Sequence, residues 1–343
     1  VNTLYLSFDG LSPKVNFKNH WEIPYMFENF RKAGMTSIVL VPTVIRNWNT
    51  DQVGAIVKFA AENIDIVRGV NFQPVSLTGM MPKSERAKYR VTIPEVIRLI
   101  EEQTEGEIPK SAWYPTPVTY PITRFIEAFT GKPQFHMTIH PACGMATYVY
   151  VKRDSSGKVV GFTPITEFVD VEGFLEYLSE KAEELERGKN RYIVGLKVLK
   201  NIWKFIDEEK QPKDISLRKI LFNIFIKHDY HSLGEFHYKF LYLGMMHFMD
   251  LYNYDVQRVM HCGIHYLTPE GRTIPFCAFN VLPDIYRDEI QKRHSLSISE
   301  WIKLKGSHTI GDAIKYKRDI KKLESRELYR KTYANFKEYL SYE

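Results

Sequence analysis

Cysteine is scarce here: Cys143, Cys262 and Cys277 are the only three in 343 residues. So few thiols, so widely spaced, exclude the disulfide framework of a small secreted domain. A reducing, cytoplasmic setting is expected, with peripheral membrane contact as an option. No apolar run reaches the roughly 20 residues of a spanning helix, and no secretory signal opens the chain. There is no internal repeat, which excludes solenoids and propellers. Aromatics interleaved with Lys or Arg on strands are also missing, so no nucleic-acid platform is expected. An initial Met is absent, and the sequence is expected to be a piece of a longer protein. What is abundant points to a folded chain: 44% hydrophobic, 14% aromatic and 26% charged residues support packed cores rather than disorder. A net charge of +6 suits an anionic partner and equally suits ordinary variation.

Residues 1–90 alternate strand and helix. Leu4 to Phe8 reads as a strand, Trp21 to Lys32 as a helix closed by Gly34, and Thr36 to Pro42 as a second strand. Asn49-Thr50-Asp51 is expected to cap a helix running to Glu62, and Ile66 to Phe72 is a third strand. Apolar strands separated by helices predict an α/β fold with a parallel sheet, either barrel or open. Ligands of such sheets bind at the carboxyl ends of the strands. Those ends carry Ser7 and Asp9, then Thr43, Arg46 and Asn47, then Gln73, Pro74 and Ser76. Their polar groups suit a ribose, an adenine edge or a carboxylate, and equally suit caps and turns.

Residues 91–134 read as a linker and helical crossing. It opens with Thr92-Ile93-Pro94 and continues through a Pro- and aromatic-rich stretch from Pro109 to Pro121. Strands follow near Thr147–Val151 and Val159–Phe162, then an acidic helix from Val171 to Arg187. Three apolar segments, Tyr192 to Ile206, Ile215 to Ile226 and Leu233 to Leu251, read as helices of a core or of a membrane surface. A basic helix is expected from Ile310 to Tyr339, either solvated or lying on phosphate headgroups.

Cys262 and Cys277 flank a Pro-Glu-Gly turn, the pattern of a β-hairpin with a thiol near each end. Cys143 lies in His140-Pro141-Ala142-Cys143-Gly144, another Pro/Gly-bounded turn. Thiols at turns rather than in helical stripes favour metal ligation, although buried inert cysteine is common. Zinc held by Cys3His remains open, because His140, His261 and His265 are close in sequence.

The run Leu-Ser-Phe-Asp-Gly, then Val-Pro-Thr-Val-Ile-Arg-Asn-Trp-Asn, then Val-Asn-Phe-Gln-Pro-Val resembles the second half of a radical S-adenosylmethionine barrel. His-Pro-Ala-Cys-Gly and the stretch from His-Cys-Gly-Ile-His through Pro-Phe-Cys-Ala-Phe-Asn-Val-Leu-Pro resemble the tetraether lipid synthase family. The resemblance implies the C-terminal half of a partial (β/α) barrel over residues 1–90. An α+β auxiliary-cluster and lipid-substrate domain, with a β-hairpin and helices, would follow over residues 135–343. Ser7, Asp9, Thr43, Arg46, Asn47, Gln73 and Pro74 would contact S-adenosylmethionine. Cys143, Cys262 and Cys277 would hold an auxiliary [4Fe–4S] cluster. The family's Cys-x-x-x-Cys-x-x-Cys loop and Gly-Gly-Glu run are absent from this sequence, so the cofactor-cleaving cluster is expected upstream of it. The implied reaction joins terminal methyl carbons of isoprenoid chains in archaeal ether lipids, with electrons from a ferredoxin- or flavodoxin-type donor. Two other expectations stand beside it: a different radical S-adenosylmethionine enzyme, such as a methylase or peptide modifier, and a non-catalytic zinc module binding a membrane or nucleic acid.

Overall fold

The computed structural model describes residues 3–78, 81–82, 84–220, 232–306 and 317–341. Three apolar segments near the amino terminus form parallel strands: β1 (Leu4–Ser7), β2 (Ile38–Val41) and β4 (Val67–Pro74). A short β3 (Thr43–Val44) continues β2 past Pro42 and pairs with the end of β4. Helices α1 (Ile23–Lys32) and α2 (Val53–Glu62) make the crossovers. Helix α1 ends at Gly34, whose φ of +65° is a conformation glycine adopts freely. The expected cap at Asn49 has another job. Its amide donates to the carbonyls of Asp9 and Thr43, both at 2.7 Å, and its Oδ1 accepts from Ile45 N at 2.7 Å. Asn49 therefore ties two strand ends together, and Gln52 precedes the helix without a side-chain cap.

The fourth parallel strand arrives late in the chain. β8 (Phe240–Met246) pairs with β4, directly beside it. This corrects the expected helix over Leu233–Leu251: only Ser232–Lys239 is helical, and the strand follows at once. The run Phe-Leu-Tyr-Leu-Gly-Met-Met is apolar on both faces, as a strand buried on both sides must be, and that pattern is shared with a buried helix. Gly69 makes the pairing possible, because a Cβ there would stand 2.7 Å from the Tyr242 carbonyl oxygen.

Beyond β8 the sheet turns antiparallel. β6 (Gly144–Arg153) pairs with β8, and its other edge meets β5 (Tyr114–Pro115) and β7 (Val159–Pro164). The path is β1-β2-β4-β8-β6-β5, so the molecule is α/β with a mixed, largely parallel central sheet. The boundary expected near residue 135 does not interrupt this sheet, which takes strands from both sides of it.

After the one-turn helix α3 (Arg86–Tyr89), helix α4 (Ile93–Gln103) covers the sheet beside α2. Helices α5 (Tyr120–Thr130), α6 (Val171–Glu186) and α7 (Arg191–Asn201) pack together as a separate layer around Phe125, Leu178 and Val194. The part of the expected Ile215–Ile226 helix beyond residue 220 lies outside the described residues. So do residues 310–316 of the expected carboxyl-terminal helix. Its described part is two short helices, Ile320–Glu324 and Glu327–Thr332, and a 3-10 turn at Lys337–Tyr339. Tyr333 and Phe336 are fully buried there, against Phe59 and His20. The segment completes the main core rather than presenting only a basic face. Among the described residues no helix is long and apolar enough to cross a membrane.

Candidate functional site

All three cysteines line one pocket of about 170 Å3. Each arrives there by a different device. Cys143 ends a 3-10 turn (Pro141–Cys143) whose start is capped by His140, with Nδ1 accepting from Ala142 N at 3.1 Å. Gly144 then begins β6, so close to β8 that a Cβ would stand 2.7 Å from the Met245 carbonyl oxygen. Cys262 follows a short helix, Val256–Met260, capped by Asp255. Its thiol donates to the Ile264 carbonyl at 3.0 Å. The expected hairpin forms: β9 (His265–Leu267) and β10 (Thr273–Pro275) are antiparallel, and Gly271 takes a φ of +77° in the turn. Cys277 lies just past the hairpin, on the first turn of a helix over Phe276–Val281 rather than on a strand. Phe276 N donates to the Ile264 carbonyl at 2.9 Å, which closes the hairpin base and brings the two thiol segments together.

The floor of the pocket comes from the chain leaving β8. His247, Phe248 and Met249 follow that strand directly. His247 N donates to the Cys143 carbonyl at 3.0 Å, and Met249 N to Cys277 Sγ at 3.4 Å. Arg258 clamps the arrangement. Its guanidinium donates to the His247 carbonyl at 2.8 Å and to Cys143 Sγ at 3.4 Å. Asp250, fully buried, anchors this stretch to the end of β4. It accepts from Arg90 at 2.9 and 3.0 Å, from Leu77 N at 3.1 Å and from Tyr252 N at 2.8 Å.

Burial pushes the Cys277 thiol up; the Met249 N–H and Arg258 oppose this, and negative charge on Cys262 or Cys143 adds to it. His247 has its pKa lowered, first by burial, then by Arg258 and Arg90. Among the described residues no three His, Cys, Asp or Glu side chains are arranged to hold a single metal ion. A tetrahedral zinc site sets its thiolates roughly 3.8 Å apart around one ion. Here the three thiols line a cavity rather than meeting at one point.

The seven residues expected to contact a cofactor lie elsewhere, and none lines this pocket. Ser7 ends β1 with its side chain exposed, and Thr43 and Gln73 face each other as a β3–β4 pair, both half-buried. These three sit at the carboxyl edge of the parallel strands, the edge from which His247 also emerges. Asp9 is committed inside the fold: it accepts from Thr43 N at 3.0 Å and pairs with Lys18 at 2.9 Å. Arg46 donates to the Arg90 carbonyl and pairs with Glu95 at 2.6 Å. Asn47 holds a turn at φ +61°, and Pro74 is buried. Sequence reasoning missed His247, Arg258 and Asp250. All three follow β8, which reads as helix, and a His on a Met-rich helix carries no signal of ligation. Of the histidines expected beside the thiols, His261 and His265 are exposed.

No family model matches the chain. A curated relative from Methanocaldococcus jannaschii, 7,8-dihydro-6-hydroxymethylpterin dimethyltransferase, is 44% identical over 319 residues. The match covers 91% of this chain and 61% of that protein, so the chain spans about three-fifths of the relative's length. This similarity overturns the expectation of a lipid synthase that joins methyl carbons, and with it the ether-lipid substrate: the relative's name is that of a methyltransferase acting on a pterin. Among the apolar segments expected to be helices between residues 192 and 251, the chain supplies a sheet strand at Phe240–Met246, and α7 leaves Ile193 and Leu196 exposed.

Proposed function

We propose that the chain is part of a radical S-adenosylmethionine methyltransferase acting on a reduced pterin. The observation that carries this reading is the 44% identity to the pterin dimethyltransferase, sustained over 319 residues. In this reading β1, β2, β4 and β8 belong to a (β/α) barrel, and Ser7, Thr43 and Gln73 meet S-adenosylmethionine at its carboxyl edge. Cys143, Cys262 and Cys277 hold an iron–sulfur cluster, since soft iron prefers thiolate.

Two features support the fit. The donor set is sulfur-rich and surrounds a cavity rather than a point. A buried imidazole nitrogen beside the thiols, Nε2 of His247, has no hydrogen-bond partner. When bound, such a cluster supplies one-electron chemistry. The chain's own residues do the positioning. Arg258 draws Cys143 and the His247 backbone together, Asp250 fixes the loop after β8, and the hairpin base sets Cys262 against Cys277. Phe135 and Phe248 add apolar walls to the pocket.

The test is an anaerobic assay of the complete gene product with S-adenosylmethionine, a low-potential reductant and 7,8-dihydro-6-hydroxymethylpterin. The expected result is pterin gaining one or two methyl groups in place of hydrogen, read by mass spectrometry. Cofactor turnover with unchanged pterin would overturn the substrate.

A further inference from the structure

Three thiolates leave a four-iron cluster one ligand short, and the residues that line the pocket include no fourth cysteine. His247 stands apart from the histidines adjacent to the thiols in sequence. It lines the same pocket as all three cysteines. It is only 8% exposed, and its Nε2 is buried without a partner. Burying a polar atom without a partner is costly, and a ligand in the pocket would satisfy this one. The residue is also fixed on both sides of its backbone. Its N–H donates to the Cys143 carbonyl, and its own carbonyl accepts from Arg258, which also reaches the Cys143 sulfur.

The geometry points to His247 as the fourth ligand, with Nε2 completing a Cys3His set around the cluster. This rests on the cluster assignment made above. A neutral imidazole in place of a thiolate leaves the centre one unit less negative, which raises its reduction potential, as histidine ligation does in other iron–sulfur proteins.

The experiment uses the 343-residue chain, whose three cysteines limit it to this one site. The chain is loaded anaerobically with ferrous iron and sulfide and reduced with dithionite. Pulsed electron paramagnetic resonance then compares protein of natural abundance with protein labelled with 15N-histidine. A directly bound nitrogen gives a hyperfine coupling that changes with the isotope. His247→Cys should retain iron and sulfide, lose that coupling and show a lower midpoint potential. His247→Ala should lose the coupling as well. A cluster whose spectrum carries no nitrogen coupling, or whose coupling survives in His247→Cys, overturns the ligand while leaving the cluster in place. A chain that takes up no iron with sulfide overturns the cluster assignment itself. The wild-type isotope comparison stands even where a variant fails to fold.

Discussion

At the scale of single residues, the pocket depends on groups that never touch a ligand. Asp250 is the clearest: a fully buried carboxylate held by Arg90 and two backbone N–H groups. Burial raises its pKa, but the Tyr252 and Leu77 N–H groups and Arg90 outweigh this, and the net shift is downward. Asp250→Ala leaves those donors unpaired and should cost roughly 3 kcal/mol, the low end for breaking a buried pair, because the Arg90 side chain stays 29% exposed. Urea unfolding of the variant measures it, and a loss near zero would mean the loop is held some other way. The cysteines were legible in the sequence because cysteine at Pro/Gly turns is an uncommon placement with a chemical reason. His247, Arg258 and Asp250 were not, because their meaning comes from β8 lying beside β4, a pairing across about 170 residues of chain. Asp9 and Arg46 show the opposite case: polar residues at strand ends whose side chains the fold itself consumes.

Secondary-structure elements show where sequence patterns hold and where they fail. β1, β2 and α2 follow their apolar patterns, and the Thr268–Arg272 turn does what Pro-Glu-Gly suggests. β8 fails because an apolar run of seven residues has no period to separate strand from helix. Its register against β4 depends on Gly69. Gly69→Val should destabilise the protein by about 1–3 kcal/mol through overpacking and should weaken retention of any group held after β8. Thermal unfolding and metal retention read the two effects, and a variant as stable as the parent would mean the strands have room to separate. The carboxyl-terminal segment is a second failure, since its basic residues hid its core residues. There His20 stacks on Tyr333 at 4.6 Å and its Nε2 lies 2.8 Å from the Tyr329 hydroxyl. Burial, then the charge of Arg318, push His20 down from 6.5 to about 4. The unfolded chain therefore binds this proton first as pH falls. Stability from His20 is complete above pH 6.5 and is lost progressively toward pH 4, by about 3 kcal/mol in all. His20→Asn should flatten the pH dependence of the urea midpoint across that window relative to wild type. An unchanged slope would show that His20 does not carry it.

At the scale of the whole molecule, one sheet carries both sets of candidate residues. Its parallel half carries Ser7, Thr43 and Gln73 along the carboxyl edge, and its later strands carry the thiol pocket at the same edge. β2 and β8 flank β4, so these sites lie on the order of 10 Å apart laterally. That spacing places the polar strand ends and the thiol pocket around a shared space. The α/β class was legible from apolar strands alternating with helices. The substrate was not: apolar segments that read as helices of a core or of a membrane surface belong to the sheet and to a helical layer, and similarity to a pterin methyltransferase overturns the lipid reading. In the proposed reading, Cys143, Cys262 and Cys277 together bind an iron–sulfur cluster. Its most direct test is iron, sulfide and zinc analysis, with an absorption spectrum, of the anaerobically prepared chain and of Cys277→Ala. Iron and sulfide in equal amounts in the wild type, lost in Cys277→Ala, is the predicted result; zinc without sulfide, or a cluster that survives Cys277→Ala unchanged, would contradict it.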